Sequence, residues 1–523
     1  MKPLLSSLLV GFPALAQAFN LYATHYSGHL YTVQFEPDKQ VIRVKNKQDD
    51  CGTAPSWLTL DRDSKTLYCL DESGSAADGT RGNLTTYSVA VDGTLAKQVQ
   101  IETLPGAVHG TVYGNNKKFI ALANYGSGAI QTFSLPLHES QDDLQSFLFG
   151  SADGASQPHA AYVDPVTKSF LWVPDLGADL IRVYSIDQET GRLVPCLDIP
   201  VDPGSGPRHA AFITGPGDRS TMYVVNEKSN TLSVFDVSYG KLDKRTADMV
   251  ALSGKRYPPR LVRRNAPLFC PTVKRKEDIT FDIKPGAKTN LAEIRAVDNR
   301  DLYVSLRGDK FFAHFDSIFH LSVGATGNES TGSNGPSAGL SAGATGRPTR
   351  SAWVPFATGT HMHPTSTKSF RETQSTGKSR PTESSATEPR ATRTTDDTNP
   401  TPEKRADESN SSSNAPHGTA GSTSSGNDDP HKRPKPTGSF DDDFRTDGKL
   451  KINRYPSYGS IPRTFDISPD GRYLAIGNQF SASIAIVQRD PETGNLGGIV
   501  SLIHIPPKGS ENSWNGISSV IWG

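Results

Sequence analysis

Arg208 and His209 stand side by side after Pro207, and Glu227 follows them downstream. Imidazole exchanges a proton near neutral pH, and guanidinium holds a planar carboxylate or an oxyanion through paired N–H groups. A carboxylate acts as a base or fixes either partner. His209, Glu227 and Arg208 are therefore the expected catalytic set for general-base chemistry with oxyanion stabilisation. Arg307, Glu293, His159, Asn226, Glu72 and Arg463 occupy related places in the sequence and are the expected substrate-binding residues.

These places belong to a recurring phrase. Pro or a small residue opens a short apolar strand, a turn follows, and a second strand rich in Leu, Tyr and Val ends on Asn, Asp or Glu before a third alternating strand. The phrase runs Pro158-His159 to Pro174-Asp175, again Pro207-Arg208-His209 to Asn226-Glu227, and late in the chain Pro462-Arg463 to Gly477-Asn478. Weaker copies begin at Pro55, Val108 and Ala292. A repeat of roughly 40–50 residues made of short strands marks the blades of a β-propeller. Leu21–Phe35 with Ile517–Trp522 supplies a closing blade, which joins distant parts of the chain and removes an exposed sheet edge. The expected fold is all-β, a seven-bladed propeller.

In such a blade the start of strand one and the end of strand two lie on one face, beside the central channel. His109, His159, Arg208, His209 and Arg463 come from the first place; Glu72, Asn124, Asp175, Asn226, Glu227 and Asn478 come from the second. Asn and Asp repeated after strand two also cap turns, which favours a structural role for Asn124, Asp175 and Asn478. Residues that do not repeat in every blade are the stronger candidates for chemistry.

The rest of the chain divides around this repeat. Residues 1–18 carry Lys2, an apolar run and Ala16-Gln17-Ala18, the pattern of a secretory signal peptide, so the mature chain is expected outside the cell. No other segment has the apolar length of a membrane span. Blades are expected over 19–323 and 441–523. Residues 324–440 are rich in Ser, Thr, Gly, Pro and charge, the composition of a disordered insertion or an O-glycosylated spacer. This insertion separates strands three and four of the sixth blade, so it should leave from the face opposite the candidate residues. A basic stretch from Lys241 to Lys276 reads as a solvated loop.

Cys51, Cys69, Cys196 and Cys270 form an even set that allows three pairings, with Cys51–Cys69 the local choice. Sequons at Asn83, Asn328 and Asn410 fit a glycoprotein. Lys plus Arg and Asp plus Glu are both 55, so no nucleic-acid partner is expected. A monomer without metal or cofactor is expected.

Pro207-Arg208-His209 with Val224-Val225-Asn226-Glu227, Val173–Asp179, Ala123-Asn124-Tyr125-Gly126 and Ala292-Glu293-Ile294-Arg295 resemble the seven-bladed lactonase family. That family groups bacterial 6-phosphogluconolactonases with the fungal carboxy-cis,cis-muconate cyclase. The resemblance covers Leu21–Val323 and Asp447–Ile505, and it implies a funnel site at Arg208, His209, Glu227, Glu293 and Arg307. Ser305-Leu306-Arg307-Gly308 stands where the family has Ser-Asn-Arg-Gly, and the insertion is foreign to the bacterial enzymes. The resemblance implies an enzyme that opens or forms a lactone ring, with a small lactone or carboxylate as its substrate, and the leader pattern would place it outside the cell. Two other readings compete: a non-catalytic binding propeller, and a metal-dependent lactonase with Glu72, Glu227 and Glu293 as oxygen ligands.

Overall fold

The computed structural model describes residues 18–149, 156–239, 270–323, 444–446, 450–510 and 515–523. The expected leader, apart from Ala18, and the expected insertion at 324–440 lie outside the described residues, as do Asn328 and Asn410. Seven antiparallel sheets form the blades, six of four strands and one of five. Their inner strands, in ring order, are Ile517–Trp522, Pro55–Asp61, Ala107–Tyr113, Tyr162–Val163, Pro207–Thr214, Asn290–Val297 and Pro462–Ile467. Blade 1 closes the ring, because Ile517–Trp522 pairs with Phe19–His25. Both expectations, seven blades and a shared closing blade, hold. Among the described residues no helix is long and apolar enough to cross a membrane.

The apolar strands do not make one central core. Buried side chains fall into seven clusters, each drawn from two adjacent blades, so stability resides in the seven seams. Polar clamps recur across some of these seams. The hydroxyls of Tyr22, Tyr113 and Tyr303 donate to the carbonyl oxygens of Gly93, Gly191 and Gly494 in hairpins of the next blade. Gly191 has φ +71°, and a Cβ there would stand 2.3 Å from the Phe119 ring, so only glycine fits. At the seam of blades 6 and 7, fully buried Asp301 accepts from His320 Nε2 at 2.9 Å and Arg489 Nη2 at 2.8 Å.

Cys51 bonds to Cys69, as the local spacing suggests, and Cys196 to Cys270. Asn83 lies within a strand, its Nδ2 donating to Asp71 at 3.0 Å. Of the basic stretch 241–276, expected as a loop, residues 241–269 lie outside the described residues. Its last part enters an outer strand, Thr272–Thr280, whose Lys274, Arg275 and Lys276 line an exposed edge. Charge on an edge strand discourages pairing with another chain. In blade 6 the third strand, Ser317–Ser322, pairs with Leu450–Pro456, and a short outer strand at Phe444–Thr446 had no clear signal in the sequence. Ser322 pairs with Asp301, at the far end of strand two from Arg307. The connection from strand three to strand four therefore departs from the end opposite the candidate residues.

Removing the Asp301 charge leaves the Arg489 guanidinium, fully buried, without its main partner. Asp301→Asn is expected to lower the unfolding free energy by about 3 kcal/mol. Urea titration measures this, and a change under about 0.5 kcal/mol would refute the clamp.

Candidate active site

A register slip recurs near the site end of the inner strands. Pro207 pairs with Asn226 and His209 with Val225, so Arg208 is the extra residue. Ser56, Val108 and Arg463 are extra in the same way, and Ala292-Glu293 falls in the slip of blade 6. In blade 4 four steps from Pro158 to Tyr162 oppose three from Trp172 to Asp175. In a regular strand neighbours point to opposite faces; a bulge re-aims one of them. That is how the consecutive side chains of Arg208 and His209 both reach the channel.

Two layers result. In the outer layer Arg208 Nε lies 2.8 Å from Glu227 Oε2, and Arg307 Nη2 lies 2.9 Å from Glu227 Oε1. The Arg208–Glu227 contact is a charge pair with poor hydrogen-bond alignment, since Arg208 Nε lacks a well-directed acceptor. Arg208 Nη1 donates to Ala292 O at 2.7 Å, which fixes the guanidinium plane. Across the channel Tyr26 donates to Glu72 Oε2 at 2.6 Å, and Arg463 approaches the same oxygen at 3.5 Å. Arg463 also lies over the Tyr26 ring.

In the inner layer His209 Nδ1 lies 3.1 Å from Glu293 Oε1. The His209 ring stands 5.2 Å from His159 and 5.5 Å from both His109 and Trp57, centre to centre. Tyr162 and Arg295 complete this layer, with Arg295 Nε 3.5 Å from Glu293 and the guanidinium near Trp57. His209 is 1% exposed and His159 6%. His159 Nδ1 is buried with no hydrogen-bond partner, which leaves Nε2 as the nitrogen able to meet a substrate.

Burial sets the electrostatics. Desolvation pushes His209 down to about 4, against the pull of Glu293, and holds His109 and His159 well below the ordinary histidine range. All three rings are neutral at pH 7. Burial works to raise Glu227, but the charges of Arg307 and Arg208 overcome it and keep the carboxyl below its usual range. For Glu293, burial is outweighed by the His209 N–H and the Arg295 and Arg208 guanidiniums, so it too stays ionised. Arg208 is pushed down to about 10 by burial and remains charged.

Eight of the nine expected residues meet in these layers; Asn226 does not. Its Nδ2 donates to Thr231 and Ser233, tying its own blade together. Asp175 and Asn478 likewise bond to preceding backbone, at Gln157 N and Ser457 O. The residue after this cap faces the mouth instead: Tyr26, Glu72, Tyr125 and Glu227. Tyr26, Trp57, Tyr125, Tyr162 and Arg295 were missed as site residues. Trp57 could have been found by its place two residues after Pro55, which matches His209 after Pro207. Glu72, Glu227 and Glu293 are each committed to different partners, and among the described residues no group of three or more His, Cys, Asp or Glu could hold a metal ion.

Neutral buried histidines make stability depend on pH. As pH falls below 6.5 the unfolded chain takes up protons that the folded rings refuse, so stability is lost on acidification. Each ring contributes a slope of about 1.4 kcal/mol per pH unit below that value. Urea unfolding at pH 7, 6 and 5 is expected to show a steep loss, reduced by about one such slope in His109→Gln. An unchanged slope in that variant would contradict the neutral assignment.

Residues 20–339 and 444–510 match the family described as Lactonase, 7-bladed beta-propeller. The chain is 34% identical over 218 residues to a probable 6-phosphogluconolactonase of Arthroderma benhamiae, covering 40% of this chain and 52% of that one. It is 30% identical over 158 residues to a 6-phosphogluconolactonase of Yersinia pestis, covering 30% and 44%. The matches thus span about half the length of these curated relatives. Among solved structures, the periplasmic gluconolactonase of Pseudomonas aeruginosa superposes with TM-score 0.55 at 17% identity, over 97% of this chain and 99% of that one. A putative 6-phosphogluconolactonase of Bacteroides fragilis gives 0.55 at 16%, over 98% and 100%, a likeness of fold. The chain belongs to the seven-bladed β-propeller lactonase family.

Proposed function

We propose that the funnel hydrolyses a small lactone, with His159 rather than His209 as the base. The observation that carries this reading is the Arg208–Glu227–Arg307 bridge beside a neutral histidine that keeps a nitrogen free. His209 has its Nδ1 committed to Glu293, and Glu227 has both oxygens between guanidiniums, which makes each a poorer base. In the proposed step His159 Nε2 takes a proton from water as its oxygen attacks the lactone carbonyl carbon. The oxyanion that forms is held by Arg208 and Arg307, with Glu227 fixing their positions. The ring C–O bond then breaks, and protonated His159 returns its proton to the leaving alkoxide, giving the hydroxy acid. Run in reverse, the same groups would close a hydroxy acid to its lactone with loss of water; a muconate-type cyclisation would instead add a substrate carboxylate oxygen across a carbon–carbon double bond, with a proton delivered to the neighbouring carbon.

The leader pattern at residues 1–18 supports action outside the cell. Phosphorylated sugar lactones stay inside cells, so an unphosphorylated sugar lactone or an aromatic-derived lactone is the proposed substrate. The names of the relatives support lactone chemistry in general.

A panel of both lactone classes, followed by release of acid, tests the reading. His159→Ala is expected to lower kcat by about 10²–10⁴-fold, and Arg307→Ala by about 10²–10³-fold. Because the imidazole is held below its ordinary 6.5, the acid limb of kcat/KM should fall below pH 6.5. Folded protein with no turnover on any lactone would favour a binding propeller instead.

A further inference from the structure

The residue opposite the first position of each inner strand is a cap. Asp71, Asn124, Asp175, Asn226 and Asn478 fill this place in blades 2, 3, 4, 5 and 7, and apolar Leu306 fills it in blade 6. In blade 1 it is His25, opposite Ile517 and fully buried. Two caps show what the place does. Asp71 Oδ1 accepts from the N–H of Ser73, two residues on, at 3.2 Å. Asn478 Nδ2 donates to Ser457 O, on the segment that leads into its inner strand, at 3.0 Å. His25 makes both bonds with one ring. Its Nδ1 lies 3.1 Å from Ser27 N, and its Nε2 lies 3.0 Å from Pro507 O, on the segment that leads into Ile517–Trp522.

Both partners are backbone groups with a single role. An amide N–H only donates, so His25 Nδ1 carries a lone pair; a carbonyl only accepts, so Nε2 carries the hydrogen. The Ser27 hydroxyl, 2.7 Å from Nδ1, faces the same lone pair. A proton added at Nδ1 would meet the Ser27 N–H donor to donor and end that bond. Only the neutral ring fits.

The surroundings do not stabilise a charged ring. Asp49 is taken by His29 Nδ1 at 2.6 Å, and Tyr31 meets His25 edge-on, centres 6.4 Å apart. On the arriving segment His504 and Lys508 are exposed, and the closing strand Ile517–Trp522 carries no charged side chain. Beyond Tyr26, Glu72 accepts from the Tyr26 hydroxyl. Burial pushes the His25 imidazole down to about 4, the His29 charge adds to this, and the hydrogen bond to Pro507 opposes it.

We infer that His25 is an acid-sensitive latch on the closure of the ring. It ties strand Phe19–His25 to the segment that delivers that strand's partner from the far end of the propeller. The next residue, Tyr26, donates its N–H to Gly516 O at 3.0 Å and its hydroxyl to Glu72, while Arg463 lies over its ring. Releasing the latch therefore reaches the mouth of the funnel. The device stands apart from the lactone chemistry. As pH falls below 6.5, an opened blade 1 takes up a proton that the closed blade refuses until about 4, so acid favours opening within that window.

Native-state hydrogen exchange of the full chain at pH 7 and pH 5, corrected for the intrinsic exchange rate, tests the latch beside His25→Asn. The Asn amide offers the same acceptor and donor with no proton to gain. In the natural chain the opening constant of Phe19–His25 and Ile517–Trp522 should rise about 20-fold more on acidification than that of Tyr473–Asn478 in blade 7. In His25→Asn that excess should vanish. The latch is overturned if both blades respond alike in the natural chain, or if the excess survives in the variant. An NMR titration of the natural chain needs no variant to fold: His25 should hold its hydrogen on Nε2 and remain neutral at pH 5. A His25 ring that titrates near 6.5 in the folded protein would overturn the inference equally.

Discussion

The extra residue in the inner strands is the constraint on which the site depends. Without it, Arg208 and His209 would point to opposite faces of their sheet, one into the channel and one into a seam. The slip recurs around the ring, at Ser56, Val108, Arg208, Ala292-Glu293 and Arg463. It is therefore a property of the repeat, and chemistry enters through the residue types that fill it. Small or apolar residues fill it in blades 2 and 3, while cations fill it in blades 5 and 7. A uniform backbone device yields an asymmetric site.

Burying this much charge is tolerated because each group has a partner across a seam. Arg208, His209 and Glu227 come from blade 5, whereas Ala292, Glu293 and Arg307 come from blade 6. Three contacts cross that single boundary: Arg208 to Ala292 O, His209 to Glu293, and Arg307 to Glu227. The cluster keeps its carboxylates ionised and its imidazoles neutral by position alone. Desolvation dominates for the rings, and fixed guanidiniums dominate for the acids. The contact with ionised Glu293 that makes His209 a poorer base also assigns its Nδ1 as the donor.

The fold was largely legible because the repeat combines period-two strands with fixed punctuation, and strand closure follows from pairing the leftover segments. The candidate residues were legible by place, yet the role of each was not. Asn226 and Glu227 are adjacent and equally polar, and only the cap geometry separates the blade staple from the mouth carboxylate. His159 and His209 look alike in sequence; their difference lies in which nitrogen is committed, a three-dimensional fact. Trp57 and Tyr162 gave no signal as site residues, because strand periodicity cannot distinguish a channel-facing ring from a seam-facing one. The bulge itself leaves no composition signal, so adjacent Arg and His would ordinarily be assigned to opposite faces.

The ring closes through blade 1, but its polar side chains are not shared evenly. His159, Arg208, His209, Glu227, Glu293 and Arg307 sit on three consecutive blades, 4 to 6. Tyr26, Glu72, Tyr125 and Arg463 occupy the facing arc from blades 7, 1, 2 and 3. The two arcs belong to different stretches of backbone but meet in the channel, where Tyr125 lies against His159 and Trp57 and His109 lie against His209. Glu72 and Arg463 pair with Tyr26 and with each other rather than with the histidines, which makes that corner of the mouth the place where a change of substrate can be engineered without dismantling the chemistry.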